Sequence, residues 1–518
     1  MELADGDDAE ARLARAMDCL PDGCPFSPMG YELGVQWVID AAGQLRGLPP
    51  RDLARNHILT LCGGVPWLIA NYPRPKRTAK SPIDSFAPEK VANDIVASCK
   101  VMGRWSPADN VRGVGAWRGE DGHLVLHLGD SLWIRGRRAD IGRRGDLVYQ
   151  AADRLHRPAR ERQPAGRDGA AWEVLDKLSG FNWRRAELDA RLMFSWICAA
   201  MLGGALAFRP HAFVTGELGT GKSTLKDDFI GPLFGPAGMI SVSDTSAAGL
   251  WQSLKMSSVP AAVDEFENRS DPRRTDEVVR LARQASSGGV VLRGGAEHNA
   301  TRFVARNSFL FFAIVMPSLS PQDRSRIVQL DLGPVFPKPF LVTRLPELGR
   351  ALLRRMADEF PRYNSLVLPE ICERFRLAGW DSRGADLYGT LIAASDVALH
   401  DATDWDQIDK LIAQLEDARL MHAAEQSPEW RRCLDYLMAS TIEPFQRGQK
   451  ATVGQLILRA AGYSRPPDSL DDSDPLMRSE SAAITASYED WAMAAAGALR
   501  RFGVRIMAAD EDIQAAGT

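Results

Sequence analysis

The chain has 518 residues, 45% of them apolar and 25% charged, and a formal net charge of -4. That length suits roughly three or four domains with a large core, and the near-neutral balance excludes nucleic-acid binding by bulk charge, so any such contact must come from local patches. Seven scattered cysteines, an odd number, argue for a reducing compartment.

The first 20 residues are acidic and lack an apolar signal core, so secretion is not indicated and a cytoplasmic protein is expected. Cys19 and Cys24 form a C-x₄-C with no second pair at zinc-finger spacing, and are read as structural. Over 21–136, "VQWVIDAAGQLRGLP" and "GVGAWRGEDGHLVLHLGDSLWI" read as short alternating strands with Gly and Asp-Gly turns, and the helical pattern "PEKVANDIVASCKVM" lies between them. An α+β domain follows from this. Trp117, His123 and His127 within it are read as core and turn residues. The stretch from Arg135 to Arg167 is dense in arginine, proline and glycine, and 137–170 is taken as a linker or, alternatively, a DNA-tracking arm.

The segment from Leu192 to Phe208 is apolar enough to be marginal for a bilayer, yet it ends almost at the next strand. A buried helix on a sheet is expected, with no membrane association. The core of the chain, 171–335, then opens on "HAFVTGELGTGKSTLKDDF", where Gly216, Gly221, Lys222 and Ser223 fit G-x-x-x-x-G-K-[ST] after an apolar strand and before a helix. Such a loop needs glycines because its N–H groups must curl inward to meet phosphate. The predicted ATP-binding residues are Gly216, Glu217, Leu218, Gly219, Thr220, Gly221, Lys222, Ser223 and Thr224. Lys222 would sit on the β- and γ-phosphates and Ser223 on Mg²⁺.

A phosphate loop alone serves kinases, GTPases and motors, so a second motif must discriminate. "VPAAVDE" is an apolar strand ending in Asp264 and Glu265, about 42 residues after Lys222. Asp264 would hold the Mg²⁺ shell, and Glu265 would orient and deprotonate the attacking water. The adjacent pair favours hydrolysis over phosphoryl transfer to a metabolite. "SSGGVVLRGGAEHNATRFVARN" reads as a β-hairpin with strands at Val290 to Arg293 and Thr301 to Ala305. "SFLFFAIVMP" reads as a buried parallel strand, and Arg324 and Arg326 follow on a polar turn. Either those arginines are a solvated turn or at least one reaches a neighbouring subunit's γ-phosphate. Helical periodicity dominates 336–427, a lid region in which Arg383 is a candidate second sensor, and 428–518 reads as helices finished by a strand, winged-helix-like.

The order of phosphate loop, acidic pair, hairpin, buried strand and arginine turn resembles the AAA+ helicases of superfamily III. "GAWRGEDGHLVLHLGD", "GELGTGKSTL", "PAAVDEFE", "LRGGAEHNATRF" and "PQDRSRIVQLDL" are similar to the helicase part of phage and mobile-element primase/helicases. The resemblance spans about Cys24 to Met507. It implies an α/β fold with an AAA+-type ATPase core and a central parallel sheet, flanked by the α+β N-terminal domain and the helical, winged-helix-like C-terminal region. It also implies a ring, expected to be a hexamer, that hydrolyses ATP with Mg²⁺ to move on single-stranded DNA. The hairpin would point into the channel, with Arg293, His298 and Arg302 as its DNA-binding residues. The first 200 residues carry no carboxylate cluster for nucleotidyl transfer, so a separate primase is expected. Superfamily III also has an asparagine sensor after the buried strand, where this chain has only Ser318, Ser320 and Gln322. An ATP-switched DNA-binding initiator or defence-type oligomer without processive unwinding is the alternative.

Overall fold

The computed structural model describes residues 9–74, 85–243, 246–254, 256–264, 266, 272–293, 301–317, 319–334, 343–425, 441–442 and 451–452. Two compact units divide the chain, Met1–Ile412 and Ala413–Thr518.

Before residue 170, the described elements of the first unit are small. Helices α1 (Ala9–Met17), α2 (Arg55–Leu61), α3 (Pro66–Asn71) and α4 (Pro88–Met102) surround the antiparallel sheet β1 (Ser27–Glu32), β2 (Val35–Ile39) and β3 (Leu45–Leu48). Val91, Ile95 and Cys99 recur at i, i+4, i+8 on α4 and are buried against Phe26, Val38 and Phe86. The one-turn α5 (Pro107–Asn110) leads to a second antiparallel sheet of β4 (Gly115–Arg118), β5 (Leu124–His127), β6 (Leu132–Ile134) and β7 (Arg137–Ala139). Trp117 and His127 are buried there, the His127 ring facing the Arg112 carbonyl at 3.1 Å, as befits core positions.

The arginine-rich stretch is built into this body. It supplies β7 and the hairpin β8 (Gly142–Arg144) with β9 (Leu147–Tyr149), and then runs extended across its neighbours. Leu155 N–H donates to Leu128, Ala159 to Arg350 and Gly166 to Leu399, at 3.1, 2.9 and 3.1 Å. Arg154 and Arg157 pair with Asp130, and Arg162 with Glu359. Backbone hydrogen bonds to three separate elements make it a strap rather than a free arm.

Helices α6 (Ala170–Leu178) and α7 (Ala186–Leu202) precede the main sheet. The apolar span at Ala186–Ala205 is long and apolar enough to cross a membrane, but 89% of it is buried within the protein. It packs on α14 (Ser382–Leu399), α6, α12 (Leu345–Arg362) and the sheet, so it is the core helix the sequence suggested.

The fold is α/β, with five parallel strands in the order β11-β12-β15-β10-β16: β10 (His211–Thr215), β11 (Ile240–Ser243), β12 (Ala261–Asp264), β15 (Phe309–Ala313) and β16 (Ile327–Asp331). β15 is central and buried along its whole length, which explains its uninterrupted apolar run. Phe309, Phe311 and Phe312 are fully buried, and each stabilises the sheet by roughly 1.5–3 kcal/mol. Helices α9 (Ala247–Leu254) and α10 (Pro272–Ser287) cover one face through Leu250, Leu254, Val278 and Leu281. Between α10 and β15 stand β13 (Val290–Arg293) and β14 (Thr301–Val304), paired antiparallel with Leu292 opposite Arg302 and Arg293 opposite Thr301. The short α8 (Gly231–Phe234) and α11 (Pro321–Arg324) complete the core, and α13 (Leu368–Leu377) packs with α14 after it. The first unit ends within α15 (Trp405–Glu425). In the second, the described residues are the rest of that helix and the antiparallel pair Thr441–Ile442 with Ala451–Thr452, so the winged-helix-like expectation lies outside them.

His211 ties this sheet together at its base. It is fully buried; its Nδ1 accepts from Phe309 N–H at 3.1 Å and its Nε2 faces the Ala282 carbonyl at 2.7 Å, which fixes the neutral tautomer with hydrogen on Nε2. Burial, with only partial offset from the Ala282 hydrogen bond, pushes its pKa down to about 3. A depressed pKa means the folded state favours neutral histidine, so this stabilisation is complete above the unfolded value of about 6.5 and declines as pH falls toward 3. Stability is expected to drop by up to about 1.4 kcal/mol per pH unit through that window from this group alone. Urea titrations at pH 7, 6 and 5 should show a smaller slope for His211→Gln; equal slopes would remove His211 as the cause.

Candidate functional site

The carboxyl end of β10 turns directly into the glycine loop at 216–221. Gly219 and Gly221 hold φ of +79° and +88°, a conformation that glycine alone enters readily. A Cβ on Gly216 would lie 2.6 Å from Thr220 Oγ1 and 2.9 Å from the Leu332 carbonyl, so this glycine is demanded by close approach. Thr220 is buried and donates to the Glu217 carbonyl at 2.9 Å, pinning the curl. Glu217, Leu218 and Gly219 form the exposed tip. Lys222 opens the following helix, and its Nζ donates to the carbonyls of Gly216 and, at 2.9 Å, Glu217. Ser223 is exposed beside it and Thr224 is half-buried. From Thr224 to Ile230 the helix is π-helical before returning to α at Gly231.

Two carboxylates stand at the carboxyl ends of β12 and β16, on either side of the β15 and β10 pair. Asp264 closes β12, separated from β10 by β15 alone, and receives the Lys226 ammonium at 2.5 Å. Asp331 closes β16 and accepts from the Thr215 hydroxyl. Glu265 lies outside the described residues, and the chain resumes at Phe266, whose N–H donates to the Phe312 carbonyl at 2.9 Å. Lys226 and Asp331 were not singled out from sequence. Lys226 stands four residues beyond Lys222 in "GKSTLK", which hints at a shared helix face, whereas the Thr215 to Asp331 contact depends on strand order and has no local signal.

The arginine turn lies at the opposite end of the sheet. The Arg326 carbonyl accepts from His211 N–H, at the amino end of β10, whereas the phosphate loop leaves its carboxyl end. A five-residue strand puts about 17 Å between those ends. Arg326 Nε donates to Ser286 at 3.0 Å, and its guanidinium also reaches the Gln322 carbonyl. Partial burial, then the nearby Arg383 and Arg283, lower its pKa. Arg324 is exposed on α11. Arg383 thus lies near enough to Arg326 for its charge to be felt there. Of the polar sensor candidates, Ser320 caps α11 through Asp323, Gln322 faces Arg283, and Ser318 lies outside the described residues.

Arg293 lies on β13 and Arg302 on β14, and His298 lies outside the described residues. β14 runs beside α5, so the hairpin's root touches the N-terminal part of the chain. Cys24 and Cys19 each turn to a backbone carbonyl, Phe26 and Arg15 respectively.

No family model matches the chain, and no curated protein matches it. Among solved structures, it is similar to the apo structure of the NrS-1 C-terminal region (305–718), with 10% identity and a TM-score of 0.33, covering 78% of this chain and 94% of that one. An A-form apo structure of the NrS-1 C-terminal region is similar at 10% identity and a TM-score of 0.34, covering 86% of this chain and 98% of the other. Both TM-scores are low.

Proposed function

We propose that the chain is an ATP-hydrolysing DNA translocase or helicase of AAA+ type, working as a homo-oligomeric ring on single-stranded DNA in replication of a phage or mobile element. The observation that carries this reading is the convergence, at the carboxyl ends of parallel strands, of a glycine loop shaped for phosphate with the acidic strand end at Asp264. That crevice is where open α/β sheets take their ligands. The residues fit the expected groups. The glycine-dependent turn between Gly216 and Gly221 suits a triphosphate, and the Ser223 hydroxyl with the Asp264 carboxylate is the hard oxygen donor set that Mg²⁺ takes.

In this mechanism Lys222 swings from the Gly216 and Glu217 carbonyls onto the β- and γ-phosphates. Glu265 holds the attacking water and accepts its proton. Bound Mg²⁺ would supply neutralisation of charge on the β- and γ-phosphates. Arg324, exposed at the far end of the sheet, suits an approach to the γ-phosphate of an adjacent subunit, because its own phosphate loop is beyond reach.

The test is phosphate release with and without single-stranded DNA, together with strand displacement on a forked duplex. Stimulation and displacement together are expected. Stimulation without displacement would favour the ATP-switched initiator, and no stimulation would remove DNA from the reading. Replacing Arg293, His298 and Arg302 by alanine should weaken single-strand binding and flatten its salt dependence while sparing basal hydrolysis, as read by fluorescence anisotropy over a salt series. Unchanged binding would make the hairpin an ordinary surface feature.

A further inference from the structure

We infer that Lys226 is the resident cation of the acidic strand end, holding Asp264 in the nucleotide-free protein so that a divalent metal binds there only together with nucleotide phosphates. The inference rests on the reading of Asp264 as the metal-side carboxylate. Lys226 leaves the same helix that Lys222 opens, but its environment differs. Its side chain is only 8% exposed, that of Asp264 is 23% exposed, and the two meet at 2.5 Å. Asp227 adds a second carboxylate at 3.5 Å.

A lysine this buried needs a carboxylate partner close by, and Asp264 provides it. A metal arriving alone would have to take Asp264 from the ammonium, leaving the lysine only the longer contact to the exposed Asp227 and placing two like charges side by side. Nucleotide changes the balance, since its phosphates bring enough negative charge to serve metal and lysine together. Lys226 therefore acts as a positioning residue: it sets the Asp264 carboxylate at the end of β12 and makes metal uptake conditional on nucleotide.

The experiment is a titration of the full chain with Mn²⁺, free metal being read by electron paramagnetic resonance, without nucleotide and again with ADP. Lys226→Met is expected to tighten nucleotide-free Mn²⁺ binding by about tenfold or more. That gain should vanish in Lys226→Met with Asp264→Asn, and should shrink when ADP is present. Lys226→Gln, which keeps a donor to Asp264 without the charge, should follow Lys226→Met and guards against a packing defect; thermal melts check that each variant is folded. If wild type binds Mn²⁺ with ADP but neither variant gains affinity without it, the inference is wrong. Should wild type fail to bind Mn²⁺ with ADP at all, the nucleotide-site reading fails and takes this inference with it.

Discussion

Lys222→Ala is expected to reduce ATP hydrolysis by at least ~10²–10³-fold, the usual consequence of removing one preorganised group that stabilises charge on a reacting centre. The fold should survive. The ammonium of Lys222 donates to carbonyls of its own loop, while the loop's shape is held by buried Thr220 and by the packing of Gly216 against Leu332. Phosphate release at saturating ATP, with a thermal melt alongside, measures both halves of the claim. Wild-type turnover in a folded variant would move the active site elsewhere.

The second large effect concerns the arginines and depends on where they stand. Arg324→Ala should cost roughly 10³–10⁵ in rate if that side chain completes a neighbour's site, since that is the range for arginine fingers. Arg326 is the less clean target, because it braces Ser286 and Gln322 within its own chain and its loss would disturb the contact between α10 and α11. Mixing Arg324→Ala with Lys222→Ala is the decisive form. Each variant alone is expected to be inactive, yet a junction between them in the proposed ring would unite an intact Lys222 with an intact Arg324. ATPase plotted against mixing ratio, with single-stranded DNA present, should rise above both pure variants and peak near equal proportions. A flat profile with demonstrated subunit exchange would place Arg324 outside catalysis, and Arg326→Ala mixed in the same way would then test the other arginine.

Local features were legible in the sequence for local reasons. "PEKVANDIVASCKVM" is a helix over Pro88–Met102 because its apolar spacing matches one helical face and a proline opens its first turn. The strand and glycine loop from His211 to Gly221, the hairpin strands and the buried run at Phe309–Ala313 follow from turn chemistry and burial that each segment carries in itself. What escaped was set by partners distant along the chain. Nothing near Phe309 says that its strand inserts between β10 and β12, and nothing in "PQDRSR" says that the turn falls beneath the amino end of β10. The arginine-rich stretch reads as a linker by composition, yet Asp130, Arg350, Glu359 and Leu399 anchor it. The π-helical turn after the glycine loop likewise has no signature in "TLKDDFI".

In the proposed ring, the separation of Lys222 from Arg324 by the length of the sheet would make each subunit a directed object, with a socket at one end and a plug at the other. Contacts between such objects are heterologous, so every copy added to an arc fills one socket and leaves one plug unused at the far end. An arc of n copies then holds n − 1 complete sites, and closure into a ring supplies the last one. Ring closure in this arrangement is thus a change in the number of working sites as well as a change of shape.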